Sequence, residues 1–299
     1  MKPITILDGG MGRELKRMGA PFTQPLWSAQ ALIEAPELVT LAHQNFVDAG
    51  AEIIIANSYA CVPFHLGDAL YQSDGARLAK EAAIIAQNAA LAANHQVLVA
   101  GALPPAFGSY RPDLFKLTEG EAIFNALFVA QDPHVDIWIA ETISSLEELG
   151  TIQTVLAQTD KPCHYAFSLL DEPDGEPRLR SGEPIVKAIE SVCKLGAEGI
   201  LFNCSIPEVM AKAVSATKTI VDMRSPSTEI GVYANNFAPI QADHEANDTM
   251  QAIRELTPED YLRYCQSWSE LGATILGGCC GIGPEHIEAL ASWKRSQIE

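Results

Sequence analysis

Eight short apolar runs, each separated from the next by a stretch with helical periodicity, constrain this chain most strongly. The runs lie at residues 4–7, 52–56, 96–100, 135–140, 163–169, 199–202, 229–234 and 273–276. Helical stretches are predicted at 37–49, 74–93, 119–131, 145–158, 184–195, 207–220, 258–271 and 284–296. The runs are apolar on both faces, as parallel strands covered on both sides require. Strict alternation, eight times over about 290 residues, predicts a closed (β/α)8 TIM barrel rather than an open doubly wound sheet. The first turn, Asp8-Gly9-Gly10-Met11-Gly12, lacks the G-x-G-x-x-G spacing of a dinucleotide loop. No linker or internal repeat beyond the βα unit divides the chain, so residues 1–299 are expected to form one domain.

Apolar residues make up 47% of the chain, enough for a large core, and no run of about 18 apolar residues predicts a membrane span. The start of the chain goes straight into a strand and has no signal-peptide layout. Seven irregularly spaced cysteines do not form a disulfide framework, so a reducing, cytoplasmic setting is expected. The formal charge of −18 and the lack of a basic patch argue against nucleic acid as a partner. Oligomeric state is not legible from the sequence.

A barrel places its active site at the C-terminal ends of its strands. The residues predicted there are Asp8, Asn57, Gly101, Glu141, Ser168, Cys204, Tyr233 or Asn235, and the pair Cys279-Cys280. Three cysteines thus fall on one face, each just past a strand, and three soft thiolates are the makings of a zinc site. Glycines flank the vicinal pair in Gly277-Gly278-Cys279-Cys280-Gly281, which lets both sulfurs turn toward one metal. Cys61, Cys163, Cys193 and Cys265 are read as packing residues, and His43 as structural. Long connections at 104–118, 171–183 and 235–257 follow strands three, five and seven and are expected near the same face.

Zinc held by Cys204, Cys279 and Cys280 would carry a net negative charge with one position open. Such a centre is a poor Lewis acid for hydrolysis but suits a further thiol, which coordination deprotonates. A thiol substrate and displacement at carbon follow, and a positively charged leaving group such as a sulfonium would be drawn to the site. Asp8 and Glu141 would hold an ammonium group, and the Gly9 and Gly10 amides would receive a carboxylate. Together they describe an amino acid that carries a thiol.

The motifs Leu7-Asp8-Gly9-Gly10-Met11-Gly12, Leu26-Trp27-Ser28, Ala49-Gly50-Ala51, Asn57-Ser58-Tyr59, Ala140-Glu141-Thr142, Phe202-Asn203-Cys204 and Gly277-Gly278-Cys279-Cys280-Gly281 resemble those of the homocysteine S-methyltransferase family. The resemblance implies a (β/α)8 barrel, zinc on Cys204, Cys279 and Cys280 with the homocysteine sulfur in the fourth position, and Asp8 and Glu141 on the homocysteine amino group. Asn203 is expected to shape the site without touching substrate. Two departures stand out: Tyr233-Ala234-Asn235-Asn236 where members often have Tyr-Pro-Asn, and Ala56-Asn57-Ser58-Tyr59 where they often have a threonine-rich turn. Both lie where the methyl donor should approach. The expected activity is zinc-dependent methyl transfer to homocysteine, giving methionine, from S-methylmethionine or S-adenosylmethionine. Two alternatives stay open: a non-catalytic barrel that binds homocysteine or zinc, and a methyltransferase for another thiol or selenol amino acid.

Overall fold

A computed structural model describes residues 3–240 and 254–297. Eight parallel strands form a single sheet: β1 (Thr5–Ile6), β2 (Ile53–Ile55), β3 (Leu98–Leu103), β4 (Ile137–Ile143), β5 (Cys163–Phe167), β6 (Gly199–Asn203), β7 (Glu229–Tyr233) and β8 (Ile275–Leu276). Each strand from β2 to β8 pairs in parallel with its sequence neighbour, and β1 pairs with β8. The ring closes between β1 and β2 through a parallel bridge, Leu7 to Ile53. The expected closed barrel is therefore present.

The helices outside it are α1 (Met11–Arg17), α2 (Ser28–Glu34), α3 (Pro36–Asp48), α4 (Pro63–Leu91), α5 (Leu117–Gln131), α6 (Leu146–Leu156), α7 (Ile185–Leu195), α8 (Pro207–Arg224), α9 (Pro258–Glu270) and α10 (Pro284–Ser296). The short α1 and α2 after the first strand escape the sequence reading. Each is one or two turns long, too short for a periodic apolar face to stand out. The sequence also places the start of α4 eleven residues late, at 74 instead of Pro63. Gly67, with φ of 72°, breaks the helix and interrupts the pattern there. Among the described residues, no helix is long and apolar enough to cross a membrane.

Alternation along the strands sorts side chains between two layers. Leu7, Ile53, Ala100, Ile137, Ile139, Ala166, Leu201, Tyr233 and Ile275 fill the barrel interior. Residues of opposite parity, such as Trp138, Ala140, Ile200 and Phe202, face the helices. The same parity carries Glu141, after Ile137 and Ile139, onto the interior. It carries Asn203 there after Leu201. Gly101 is a correction: it lies inside β3, where its missing side chain makes room for the Trp138 ring, and not at a strand end.

Candidate active site

The three cysteines converge at the C-terminal mouth of the barrel, with all three Sγ atoms within 4.8 Å of one another. Cys204 follows β6 directly and takes a left-handed backbone, φ 47°. Cys279 and Cys280 lie in the turn between β8 and α10. That turn is laced to its neighbours: the Cys279 N–H donates to the Ala234 carbonyl at 2.9 Å and the Gly278 N–H to the Asp8 carbonyl at 2.9 Å. In return the Asn236 N–H donates to the Cys280 carbonyl at 3.1 Å. Gly281, at φ 84°, closes the turn in a conformation that favours glycine.

Cys204 and Cys279 are joined in a disulfide, which the sequence reading did not anticipate. The cause is proximity: two strand ends, of β6 and β8, bring the sulfurs together although 75 residues separate Cys204 from Cys279. The Cys280 sulfur stands 4.0 Å from that of Cys279. A disulfide and a three-thiolate metal centre are alternative states of the same atoms, so a metal requires the reduced form. The donor set itself suits zinc: three sulfurs from two turns of backbone, in one cluster, on a fixed scaffold. Burial, reinforced by Glu141, pushes the Cys280 thiol up to about 12. A thiol so placed becomes a thiolate only when a cation compensates the charge.

Two carboxyl groups lie beside the cysteines. Asp8 is 4% exposed and accepts from the Ile55 N–H at 2.8 Å. Glu141 is 8% exposed and accepts from the Tyr233 hydroxyl at 3.3 Å. Burial raises Asp8 well above the usual carboxylate range; the Ile55 N–H opposes the rise and the Glu141 charge adds to it. Burial likewise lifts Glu141 to about 7. Among the described residues neither has a cationic partner, so an incoming ammonium would meet two under-compensated acids.

The Glu141 position is built with care. Ala140 pairs with Tyr165 and Ile143 with Phe167, so β4 carries one extra residue between them. That bulge re-aims the side chains it contains. Thr142, within it, has φ 58° although it is β-branched. Asn203 holds it there: its Oδ1 accepts the Thr142 N–H at 3.0 Å, and its Nδ2 donates to Thr142 Oγ1 at 3.0 Å. Asn203 thus shapes the site without being placed to touch a ligand, as its position before Cys204 suggests.

The glycines of the first turn also serve to pack it against the cysteine turn. The Gly10 N–H is already donated to the Ile282 carbonyl at 2.8 Å, so it is not open to a substrate carboxylate. A Cβ on Gly9 would lie 2.6 Å from the Ile282 oxygen, and one on Gly10 would lie 2.5 Å from the Cys279 oxygen. These glycines let the first turn lie against the cysteine turn, with only the Gly10 amide drawn into that contact.

The long connections supply a roof. Tyr110, Phe237 and Ile240 form a buried apolar cluster with Cys204, and Cys279 and Cys280 pack against it. Of the connection 235–257, residues 241–253 lie outside the described residues. Tyr59 bonds to Ser109 through their hydroxyls at 2.6 Å. The tyrosines Tyr59, Tyr110 and Tyr233 are all held protonated by burial. Sequence reasoning reached the loops but not Tyr110, because a loop shows no periodicity that says which side chain turns inward. Asn57 donates to the Ser28 carbonyl at 3.2 Å and serves to tie the second turn to α2. Cys61, Cys193 and Cys265 are buried free thiols and Cys163 is half-buried, away from the cluster.

A chain with this barrel and this cysteine cluster has clear relatives. It is 28% identical to homocysteine S-methyltransferase YbgG of Bacillus subtilis, over 98% of this chain and 95% of that one. It is 26% identical to a selenocysteine methyltransferase of Astragalus bisulcatus, over 95% and 90%. It matches the crystal structure of the homocysteine methyltransferase MmuM of Escherichia coli in its metallated form with a TM-score of 0.79 and 25% identity, covering 98% and 96%. The sequence model of the homocysteine S-methyltransferase family matches residues 5–293. With that match over nearly its whole length, the chain belongs to the homocysteine S-methyltransferase family and is a methyltransferase enzyme.

Proposed function

We propose that this enzyme moves a methyl group from a sulfonium donor, S-methylmethionine or S-adenosylmethionine, to the thiol of homocysteine, with zinc on Cys204, Cys279 and Cys280. The observation that carries the reading is the juxtaposition of three sulfurs, all within 4.8 Å, with two buried carboxyls at one barrel mouth. When bound there, zinc supplies the positive charge that lets a substrate thiol lose its proton at neutral pH. Asp8 and Glu141 hold the ammonium group of the amino acid and so set the distance from its α-carbon to the sulfur cluster. Tyr233 orients Glu141 through its hydroxyl. The roof of Tyr110, Phe237 and Ile240 excludes water, which strengthens each of these polar contacts. A cationic donor suits an enclosure lined by carboxyls and tyrosine faces. In the reaction the donor S–CH3 bond breaks as the new S–CH3 bond forms, and the donor leaves as a neutral thioether.

The selenocysteine methyltransferase among its relatives favours a second acceptor, a selenol amino acid, in the same site. Mass spectrometry with labelled methyl groups tests both readings. S-Methylmethionine, S-adenosylmethionine and betaine are each supplied with homocysteine or selenocysteine, under reducing conditions, with and without a chelator. Labelled methionine from a sulfonium, abolished by the chelator, is the expected result. Transfer that survives metal removal, or transfer from betaine alone, overturns the proposal.

A further inference from the structure

Behind the cysteine cluster lies an ion pair that the chemistry above does not use. Arg180 and Asp171 meet at 3.1 Å with side chains 3% and 1% exposed. Both belong to the connection after β5, yet their partners come from three other strand ends. Asp171 accepts the Ile206 N–H at 3.0 Å, beyond β6, and the Ile240 N–H at 2.9 Å, beyond β7. Arg180 Nε donates to Ser168 Oγ at 3.1 Å, and its terminal nitrogens reach the Ile240 and Cys204 carbonyls at 3.4 and 3.5 Å. The guanidinium carbon also sits 4.8 Å from the centre of the Tyr110 ring, which comes from the connection after β3.

A buried ion pair is poor evidence for stability, since desolvation offsets much of the attraction. Its geometry says more. A planar guanidinium can serve a carboxylate, a hydroxyl, carbonyls and an aromatic face at once, which lysine cannot. Here those groups include Tyr110, Asp171 and Ile240, one from each of the three long connections, and Tyr110 and Ile240 are roof residues. We infer that the Asp171–Arg180 pair is a positioning device that fastens Tyr110 of the connection after β3, its own connection after β5, and Ile240 beyond β7 over the cysteines, and steadies the left-handed Cys204. Neither residue is placed to touch substrate, so Arg180 and Asp171 act through Tyr110, Ile240 and Cys204. The inference rests on the reading that the cysteine cluster is the methyl-transfer site.

The test is Arg180→Lys, which keeps the buried charge and removes the fork and the flat face. Trypsin cleavage after Arg178 reports the loop, because Leu179 is fully buried and cleavage requires local opening. Cleavage after Lys80, inside α4, reports global unfolding. Losing a desolvated cation–π contact is expected to raise Arg178 cleavage about tenfold, with Lys80 cleavage unchanged. The KM for homocysteine should rise by a similar factor at unchanged zinc content. Cleavage at the wild-type rate, or faster cleavage with an unaltered KM, overturns the inference. Should Arg180→Lys not fold, Tyr110→Leu removes the ring face, leaves the ion pair intact, and is read the same way. Cleavage needs no substrate, so a wild-type enzyme that fails to methylate homocysteine refutes the proposed function and leaves the latch to be decided separately.

Discussion

Asn203→Ala tests how Glu141 is held. The wild-type side chain makes two buried bonds to Thr142, both 3.0 Å long. Thr142 Oγ1 retains Tyr59 as a partner, so the change orphans only the Thr142 N–H. Losing the Nδ2 bond costs about 1 kcal/mol and leaving a buried N–H unpaired about 1–3 kcal/mol. The total is about 2–4 kcal/mol, or roughly 4–8 °C in Tm for a chain of this size. Thr142 then holds a left-handed φ that is itself costly by about 1–2 kcal/mol for a residue with a Cβ. Relaxation of that bulge moves Glu141 away from Tyr233. The KM for homocysteine is expected to rise about tenfold, while zinc content, set by sulfurs the substitution leaves in place, stays constant. Urea denaturation, steady-state kinetics and metal analysis on the same preparations read the three effects. A loss under about 1 kcal/mol with an unchanged KM refutes the reasoning. Loss of zinc instead would show that Asn203 acts through Cys204.

The other substitutions separate metal, substrate and scaffold. Cys280→Ser replaces a soft ligand by a hydroxyl that stays protonated, so bound zinc and activity should fall together by about 100-fold or more; activity that persists without metal would contradict the ligand set. Glu141→Gln keeps the shape and removes the charge, so homocysteine binding should weaken by about 2–3 kcal/mol, roughly 30- to 150-fold, with zinc retained. His43 is fully buried with neither ring nitrogen bonded among the described residues, and burial lowers it from 6.5 to about 4. Its neutral form contributes stability that is complete above pH 6.5 and is lost as pH falls toward 4. His43→Leu should therefore gain on the wild type by about 3 kcal/mol between those limits, measured by urea denaturation across pH 4–7. An equal pH slope in both proteins would show that His43 is not the group that titrates.

The barrel was legible because its signal is repeated. Eight apolar runs with helices between them leave few ways to be wrong, and an error at one element, such as the late start of α4 at the Gly67 break, does not disturb the others. The cysteines were legible for a related reason: a parallel barrel sends every strand end to one face, so residues 204, 279 and 280 had to meet once the strands were assigned. The argument weakens wherever position depends on a loop or on one backbone angle. The glycines at 9 and 10 read in one dimension as an anion cradle, and the close approach of the Cys279 and Ile282 carbonyls to them appears only in the fold. Arg180 lies in a stretch with no period, and nothing in its neighbours says that its guanidinium turns inward to Asp171 and Tyr110. The same is true of the Thr142 bulge, which one extra residue in β4 creates and no local sequence signal announces. Strand-end chemistry is thus encoded by topology and can be read in one dimension. The positioning of that chemistry is encoded by long-range contacts, Asn203 to Thr142 across 61 residues and Asp171 to Ile240 across 69, and appears only once the chain is folded.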